Sequence, residues 1–206
     1  MKIYDFEGFP NPARVRIALK EKGLFDQVEF ISINVPEGEH RKPEFLEKNP
    51  SAAVPVLELE DGTTISECSA ITEYLDNLTD EQDLTGKSPK ERGVIAMMQR
   101  RTEAGLLDAV GAYFHHATPG LGPDIETYQN AEWGSKQGER AVATMRYLDG
   151  VLADQPYVAG DEFSVADITA FAGLGFADFA GVETPSDCKN LAQWRAKVET
   201  RPSIAG

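Results

Sequence analysis

The sequence predicts a small α/β domain followed by an all-helical one, and three observations carry that expectation. Strand-like and helix-like segments alternate up to about Asn77, whereas from Pro89 onward no segment reads as a strand. Between them, Thr79 to Ser88 is polar, contains Gly86 and runs into Pro89, a composition suited to a linker. Hydrophobic residues make up 41% and charged residues 26% of the 206, so a sizeable core can be buried without metal or disulfide support. The expected domains are therefore 1–79 and 89–206, joined by a linker over 80–88.

Lys2 to Phe6 reads as a strand, and Pro12 to Lys22 as a helix with apolar Val15, Ile17, Ala18 and Leu19 and a stop at Gly23. Asn11 before Pro12 has the form of an N-cap followed by proline at the first helical position. Val28 to Asn34 is a second strand, and Arg41 to Lys48 a short helix that ends at Asn49-Pro50, because a residue before proline avoids the helical region. The Val56–Leu59 strand, the Asp61-Gly62 turn and the Thr64–Ser66 strand lead into a helix through about Asn77. The order βαβ, connecting helix, ββα in one sheet is the thioredoxin-like layout.

In the second domain helices are expected at about 89–115, 124–153, 164–179 and 187–200, with Tyr157-Val158-Ala159-Gly160 interrupting them. Ser164 as N-cap, Asp167 as the reciprocal acceptor and the Phe163/Ile168 pair as a hydrophobic staple make a helix start built for folding. Asp167 is accordingly read as structural.

Composition also excludes functions. A net charge of −14 argues against nucleic acid or an anionic membrane as the partner. Two basic clusters stand against that background, His40-Arg41-Lys42 and Gln99-Arg100-Arg101, the second read as a solvated helix face. Cys68 and Cys188 have no metal-ligand or disulfide spacing, so no metal is expected and a reducing compartment fits. The N-terminus has no apolar leader and no run is long enough for a membrane span, which points to the cytoplasm.

One stretch proposes a ligand. Pro55 begins a strand, where a missing N–H is tolerated, and its tertiary amide makes Val54–Pro55 a candidate cis bond that would turn the Val54 main chain outward. An outward N–H and C=O can pair with an extended peptide. Glu67 offers a carboxylate for an ammonium group, and the helix start at Cys68 offers N–H groups for a carboxylate. Together they describe a site for the zwitterionic end of a small peptide.

Val54-Pro55, Ser66-Glu67-Cys68-Ser69-Ala70-Ile71, Pro156-Tyr157-Val158-Ala159-Gly160 and Phe163-Ser164-Val165-Ala166-Asp167 resemble, in this order and spacing, the soluble glutathione transferases. The resemblance covers nearly the whole chain. It implies that Val54 pairs with the cysteinyl part of glutathione as co-substrate, that Pro55 is cis, and that Glu67 and Cys68 hold the γ-glutamyl end. Many members have serine after the acid; Cys68 is a poorer hydrogen-bond donor, so its main-chain N–H carries more of the contact. His40 and Lys42 are the candidates for the glycine carboxylate.

The same resemblance leaves a gap at the sulfur. Usual classes activate the thiol with tyrosine, serine or cysteine, and in thiol-bearing relatives a Cys-Pro pair precedes the first helix with an arginine five residues after the cysteine. Phe9-Pro10-Asn11-Pro12-Ala13-Arg14 fits that frame with Phe9 at the nucleophile position, and phenylalanine donates no hydrogen bond. Asn11 is the nearby donor, with Tyr4 in reserve. The segments Asn11 to Leu19 and Gly38 to Leu46 are most similar to an atypical yeast and bacterial class lacking the usual residue, which implies activation by the helix start and by a water held from the helical domain. Tyr113-Phe114-His115-His116-Ala117-Thr118 is the matching segment there: His115 or His116 is a catalytic candidate beside Asn11, and Tyr113, Phe114, His116 and Thr118 are candidates for an electrophile pocket, with Tyr128 as a further aromatic wall. Adjacent histidines point about 100° apart on a helix, which disfavours a paired metal site.

The resemblance thus implies a homodimeric detoxifying enzyme that conjugates glutathione to hydrophobic electrophiles or reduces hydroperoxides. A glutathione-dependent isomerase of the same fold is the alternative; its Ser-Ser-Cys stretch is replaced here by Phe9-Pro10-Asn11. A non-catalytic ligand-binding or protein-interaction module is the second alternative.

Overall fold

The computed structural model describes residues 1–79 and 81–205, and the chain divides after Gln82 into two units. In the first, β1 (Lys2–Asp5), β2 (Glu29–Ser32), β3 (Val56–Glu58) and β4 (Thr64–Ser66) form one sheet in the order β2-β1-β3-β4. β1 is parallel to β2 and antiparallel to β3, which pairs antiparallel with β4. The parallel pair requires a crossover, supplied by α1 (Pro10–Glu21), whereas β3 and β4 need only a hairpin. This is the thioredoxin-like arrangement expected.

Alternation along β1 sends Ile3 and its partner Leu57 to one face, and Tyr4 and Val56 to the other. α1 and α3 (Cys68–Asn77) cover the Ile3 face, where Val15, Leu19, Ile71 and Leu75 are fully buried. Two ion pairs fix α1 in place. Midway along it, Arg16 grips Asp5 of β1 at 2.7 and 3.2 Å, a buried carboxylate tolerated because both oxygens are paired. Near its end, Lys22 lies 2.9 Å from Asp76 of α3, with both side chains buried. On the opposite face, Lys48 reaches Glu58 at 2.5 Å and covers the Tyr4 ring.

The single helix expected over Arg41–Lys48 is instead a 3₁₀ turn, Glu39–Arg41, and α2 (Pro43–Leu46). Proline is the reason. Lys42 before Pro43 is extended, with φ −72° and ψ 149°, and this breaks the run.

The second unit holds α4 (Pro89–Thr102), α5 (Asp108–Ala117), α6 (Ala131–Asp154), α7 (Val165–Ala180), α8 (Lys189–Glu199) and α9 (Pro202–Ala205). The helix expected over 89–115 carries a π-helical turn at Glu103–Leu107, where a Cβ on Gly105 would come within 2.5 Å of Thr144 on α6. The helix expected from 124 begins at Ala131, because Asn130 caps it by accepting the Trp133 N–H at 3.0 Å. Among the described residues no helix is long and apolar enough to cross a membrane.

α5 and α6 approach closely at two glycines four residues apart, on one face of α6. A Cβ on Gly134 would stand 2.9 Å from the Ala117 N and the His116 Cβ, and one on Gly138 would stand 2.9 Å from the Tyr113 ring. Gly134→Ala therefore overpacks main chain against side chain at ~1–3 kcal/mol, more than the ~1 kcal/mol gained in helix propensity. Gly150, on the same helix, has nothing within 4 Å of such a Cβ. Thermal melts are expected to show Gly134→Ala lowering, and Gly150→Ala raising, the midpoint.

Candidate active site

α1 begins two residues earlier than its sequence suggests, at Pro10 in place of Pro12. Phe9, not Asn11, is the N-cap, with φ −81° and ψ 147° and no side-chain cap bond, and Pro10 takes the first helical position. Asn11 is thus the second residue of the helix. Pro10 is already preset for helix, and it precedes Pro12. The Phe9 ring is held edge-on to Phe6 at 4.9 Å.

With prolines at 10 and 12, two of the N–H groups a helix start would present are missing, and the Ala13 N–H is taken by the Phe9 carbonyl at 3.0 Å. Among the described residues the Asn11 N–H is the open donor of this turn. It sits at the positive end of the helix, about half an elementary charge.

Tertiary packing then brings a second helix start to the first. Cys68, the first residue of α3, is 6% exposed, and its Sγ donates to the Asn11 carbonyl at 3.4 Å and lies 3.6 Å from Asn11 Oδ1. Arg14 Nη1 donates to the same Oδ1 at 3.0 Å. Next to Cys68, Glu67 is exposed and has φ 69° and ψ 121°, a conformation that costs a non-glycine residue about 1–3 kcal/mol. Its carboxylate has no partner among the described residues.

The Val54–Pro55 bond is cis. Neither main-chain polar group of Val54 has a partner among the described residues. The preceding loop is held by Asn49, 2% exposed, which donates to the Ala53 carbonyl at 2.8 Å and accepts the Ser51 N–H at 3.0 Å. Sequence reasoning gave Asn49 no role beyond ending a helix; a polar residue before proline, ahead of the Val-Pro pair, is the signal it left.

The two basic candidates differ in kind. His40 is buried, its Nδ1 has no partner among the described residues, and burial together with Arg41 holds its pKa below the ordinary value. Lys42 is exposed, 3.4 Å from Glu39. Positive charge at neutral pH therefore resides on Lys42. Tyr4, the reserve donor, is otherwise engaged: its hydroxyl donates to Glu58 at 2.9 Å.

In the second unit the end of α5 is tied down by the loop over 118–130. Gln129 Nε2 donates to the His115 and Thr118 carbonyls at 2.7 and 2.8 Å, closing the helix end. His115 Nδ1 meets Glu126 at 2.7 Å, and the same carboxylate accepts the Leu121 N–H at 2.9 Å. His116 Nδ1 accepts the Asn130 N–H at 3.1 Å, which places its ring proton on Nε2. The Thr118 hydroxyl, expected to be available, donates to the Phe114 carbonyl at 2.6 Å. Phe114 packs against Phe176 and Phe179 of α7 at 5.6 and 5.7 Å, and Phe179 is 75% exposed. Neither α7 ring was singled out in the sequence, because aromatics at helical spacing look like core.

Against known proteins, residues 10–78 match the family model described as glutathione S-transferase, N-terminal domain, and residues 131–197 match glutathione S-transferase, C-terminal domain. The chain is 56% identical to glutathione S-transferase 2 of Saccharomyces cerevisiae over 99% of its length and 88% of that protein. It is 63% identical to a glutathione S-transferase domain-containing protein of Marinobacter aquaeolei of known structure, with a TM-score of 0.97 over 99% of this chain and 100% of that one. A maleylacetoacetate isomerase of Pseudomonas aeruginosa is 30% identical over 88% of this chain and 84% of that protein.

Proposed function

Because the chain belongs to the glutathione S-transferase family, we propose that its first unit binds glutathione and activates the sulfur as thiolate for attack on hydrophobic electrophiles. The observation that carries this reading is the meeting of two helix starts at Asn11 and Cys68, beside the exposed carboxylate of Glu67. Glutathione has an ammonium and a carboxylate at its γ-glutamyl end, a thiol in the middle and a carboxylate at its glycine end. Glu67 suits the ammonium, and the main-chain N–H at Cys68 suits the adjacent carboxylate. The open main chain of Val54, beside Pro55, suits the cysteinyl amide. Lys42 supplies charge for the glycine carboxylate, and His40 a neutral imidazole.

Phe9 and Asn11 fall to the sulfur. A free thiol with a pKa of about 8.5 is mostly protonated at neutral pH, and a helix start with ordered donors favours its anion. The Asn11 N–H and Nδ2–H₂ are the donors in that role. The thiolate then forms a carbon–sulfur bond while the leaving group departs with its electron pair, the thiol proton having passed to solvent. The same thiolate would attack a hydroperoxide, breaking the O–O bond so that the alkoxide leaves and takes a proton as the alcohol; the sulfenic acid formed on glutathione is then reduced by a second glutathione to the disulfide and water.

From the second unit, Tyr113, Phe114, His116 and Thr118 are proposed for the electrophile, with Phe176 and Phe179 extending the aromatic group. Of the two histidine candidates, His116 keeps an Nε2–H to orient water or polarise an electrophile, whereas His115 is engaged by Glu126. A homodimer and a cytoplasmic, detoxifying setting complete the proposal on family grounds; Cys68 and Cys188 are both buried, and neither is in a disulfide among the described residues.

Conjugation of a chloronitroarene is the test. Activity well above the uncatalysed rate is expected, slowed on the order of a hundredfold by Asn11→Ala, the usual effect of removing one donor from a developing anion. Protein retained on immobilised glutathione but inert toward electrophiles and hydroperoxides would favour the ligand-binding module. A protein that is neither retained nor active overturns the proposal.

A further inference from the structure

The Asn11 amide is not free to choose which end it presents. Oxygen and nitrogen of an asparagine amide are nearly alike in shape, and half a turn about χ2 exchanges them. Here one strong donor is fixed on the amide oxygen, the Arg14 guanidinium at 3.0 Å, and the single S–H of Cys68, shared between the Asn11 carbonyl at 3.4 Å and this oxygen at 3.6 Å, adds a weaker contact. Arg14 is 2% exposed and Cys68 6%, so solvent cannot replace either partner. The flipped amide would set its NH₂ against a guanidinium, donor against donor, at the cost of an unmet buried pair.

We propose that Arg14, assisted by Cys68, is a positioning residue that locks the Asn11 amide with Nδ2 presented to the sulfur of bound glutathione. This rests on the reading above, in which Asn11 donates to that sulfur. Without the lock, the amide would offer its oxygen as readily as its nitrogen, and a carbonyl oxygen repels a thiolate. Arginine suits the task because its planar fork holds a fixed direction and stays charged at every working pH. The thiol of Cys68 is a weak donor, so it adds a second contact without drawing the Asn11 oxygen away from Arg14. The acid-serine pair of many relatives is changed at the residue that touches Asn11.

The test is a double-mutant cycle between Arg14→Met and Asn11→Ala, read as the pKa of bound thiol from the pH profile of kcat/KM and from near-ultraviolet thiolate absorbance. Arg14→Met alone is expected to raise that pKa by roughly one unit, about a tenfold loss of thiolate at neutral pH, with KM for glutathione little changed. In the Asn11→Ala background the same substitution should change nothing further. Equal losses in both backgrounds would mean that Arg14 acts through its own charge or packing, which overturns the positioning role and leaves the Asn11 reading standing. A wild-type thiol pKa in Asn11→Ala would overturn both.

Asn11→Asp keeps the experiment decisive if a buried Arg14→Met chain fails to fold. Its two oxygens still accept from Arg14 and Cys68, so a melting temperature at or above wild type is expected, yet it has no Nδ2 and should raise the thiol pKa at least as far as Asn11→Ala. A marked drop in melting temperature, or an undisturbed thiolate, overturns the proposal.

Discussion

Glu67→Ala is expected to abolish retention on immobilised glutathione while leaving the fold intact, and Glu67→Gly to abolish it while making the protein more stable. Glu67 is exposed and unpartnered among the described residues, so removing its carboxylate leaves no buried donor unmet. What is lost is a charge-assisted bond to an ammonium group, ~1.5–3 kcal/mol, or about ten- to a hundredfold in glutathione affinity. The backbone separates the two variants. At φ 69° and ψ 121° a side chain is strained, and alanine keeps that strain whereas glycine removes it. Relief of ~1–3 kcal/mol outweighs the extra chain entropy of glycine, about 0.5–1 kcal/mol, for a net gain of about 1 kcal/mol. Denaturant titration and affinity retention on the same samples check both halves. If Glu67→Gly is less stable than Glu67→Ala, the strain has been misassigned.

Asp167→Ala is expected to have the largest effect on stability, about 3–5 kcal/mol, a large share of what a domain of this size has. The carboxylate is fully buried and receives four donors: Val158 N–H at 2.8 Å, Trp194 Nε1–H at 2.9 Å, and Ser164 N–H and Oγ–H at 3.0 and 3.1 Å. It ties the bridge at Tyr157–Gly160, the start of α7 and the indole of α8 to one point. Truncation orphans all four donors. Burial pushes its pKa from 3.8 up to about 6, against the pull of those hydrogen bonds.

The sign of the pH dependence follows from that direction. The folded state binds this proton more tightly than the unfolded chain, so the group's contribution is fully present below 3.8 and is lost as pH rises through about 6. The stability gap between wild type and Asp167→Ala should narrow as pH rises across this window and stay flat above it. A gap that widened would place the folded pKa below the ordinary carboxylate value.

The legible parts of this chain are those whose causes are local. The Ser164/Asp167 capping box lies within one helical turn and forms as its spacing demands. The strand, hairpin, strand, helix order around Pro55 and Glu67 follows from residue types within a few positions of each other, and its elements fall where expected. Boundaries slipped where two residues competed for one task. Pro10 began α1 ahead of Pro12, and Asn130 capped α6 well past the expected start.

The candidate site was legible as recognition and not as catalysis. A proline bond, an acid and a helix start announce a peptide end by type and spacing alone. Whether a given hydroxyl or amide is available depends on what lies across the fold. Tyr4 donates its hydroxyl to Glu58, 54 positions away, and Asn11 has its amide oxygen fixed partly by Cys68, 57 positions away. Gly134 and Gly138 look like weak points in a helix until α5 is laid against them. The sequence by itself determined the two kinds of unit, the helix and strand order and the residues that can meet a zwitterion, because hydrogen bonding and hydrophobic period act over a few residues. Only the tertiary structure decided which donors stay open at the sulfur end, because that is settled by packing between segments whose separation along the chain carries no record of their contact.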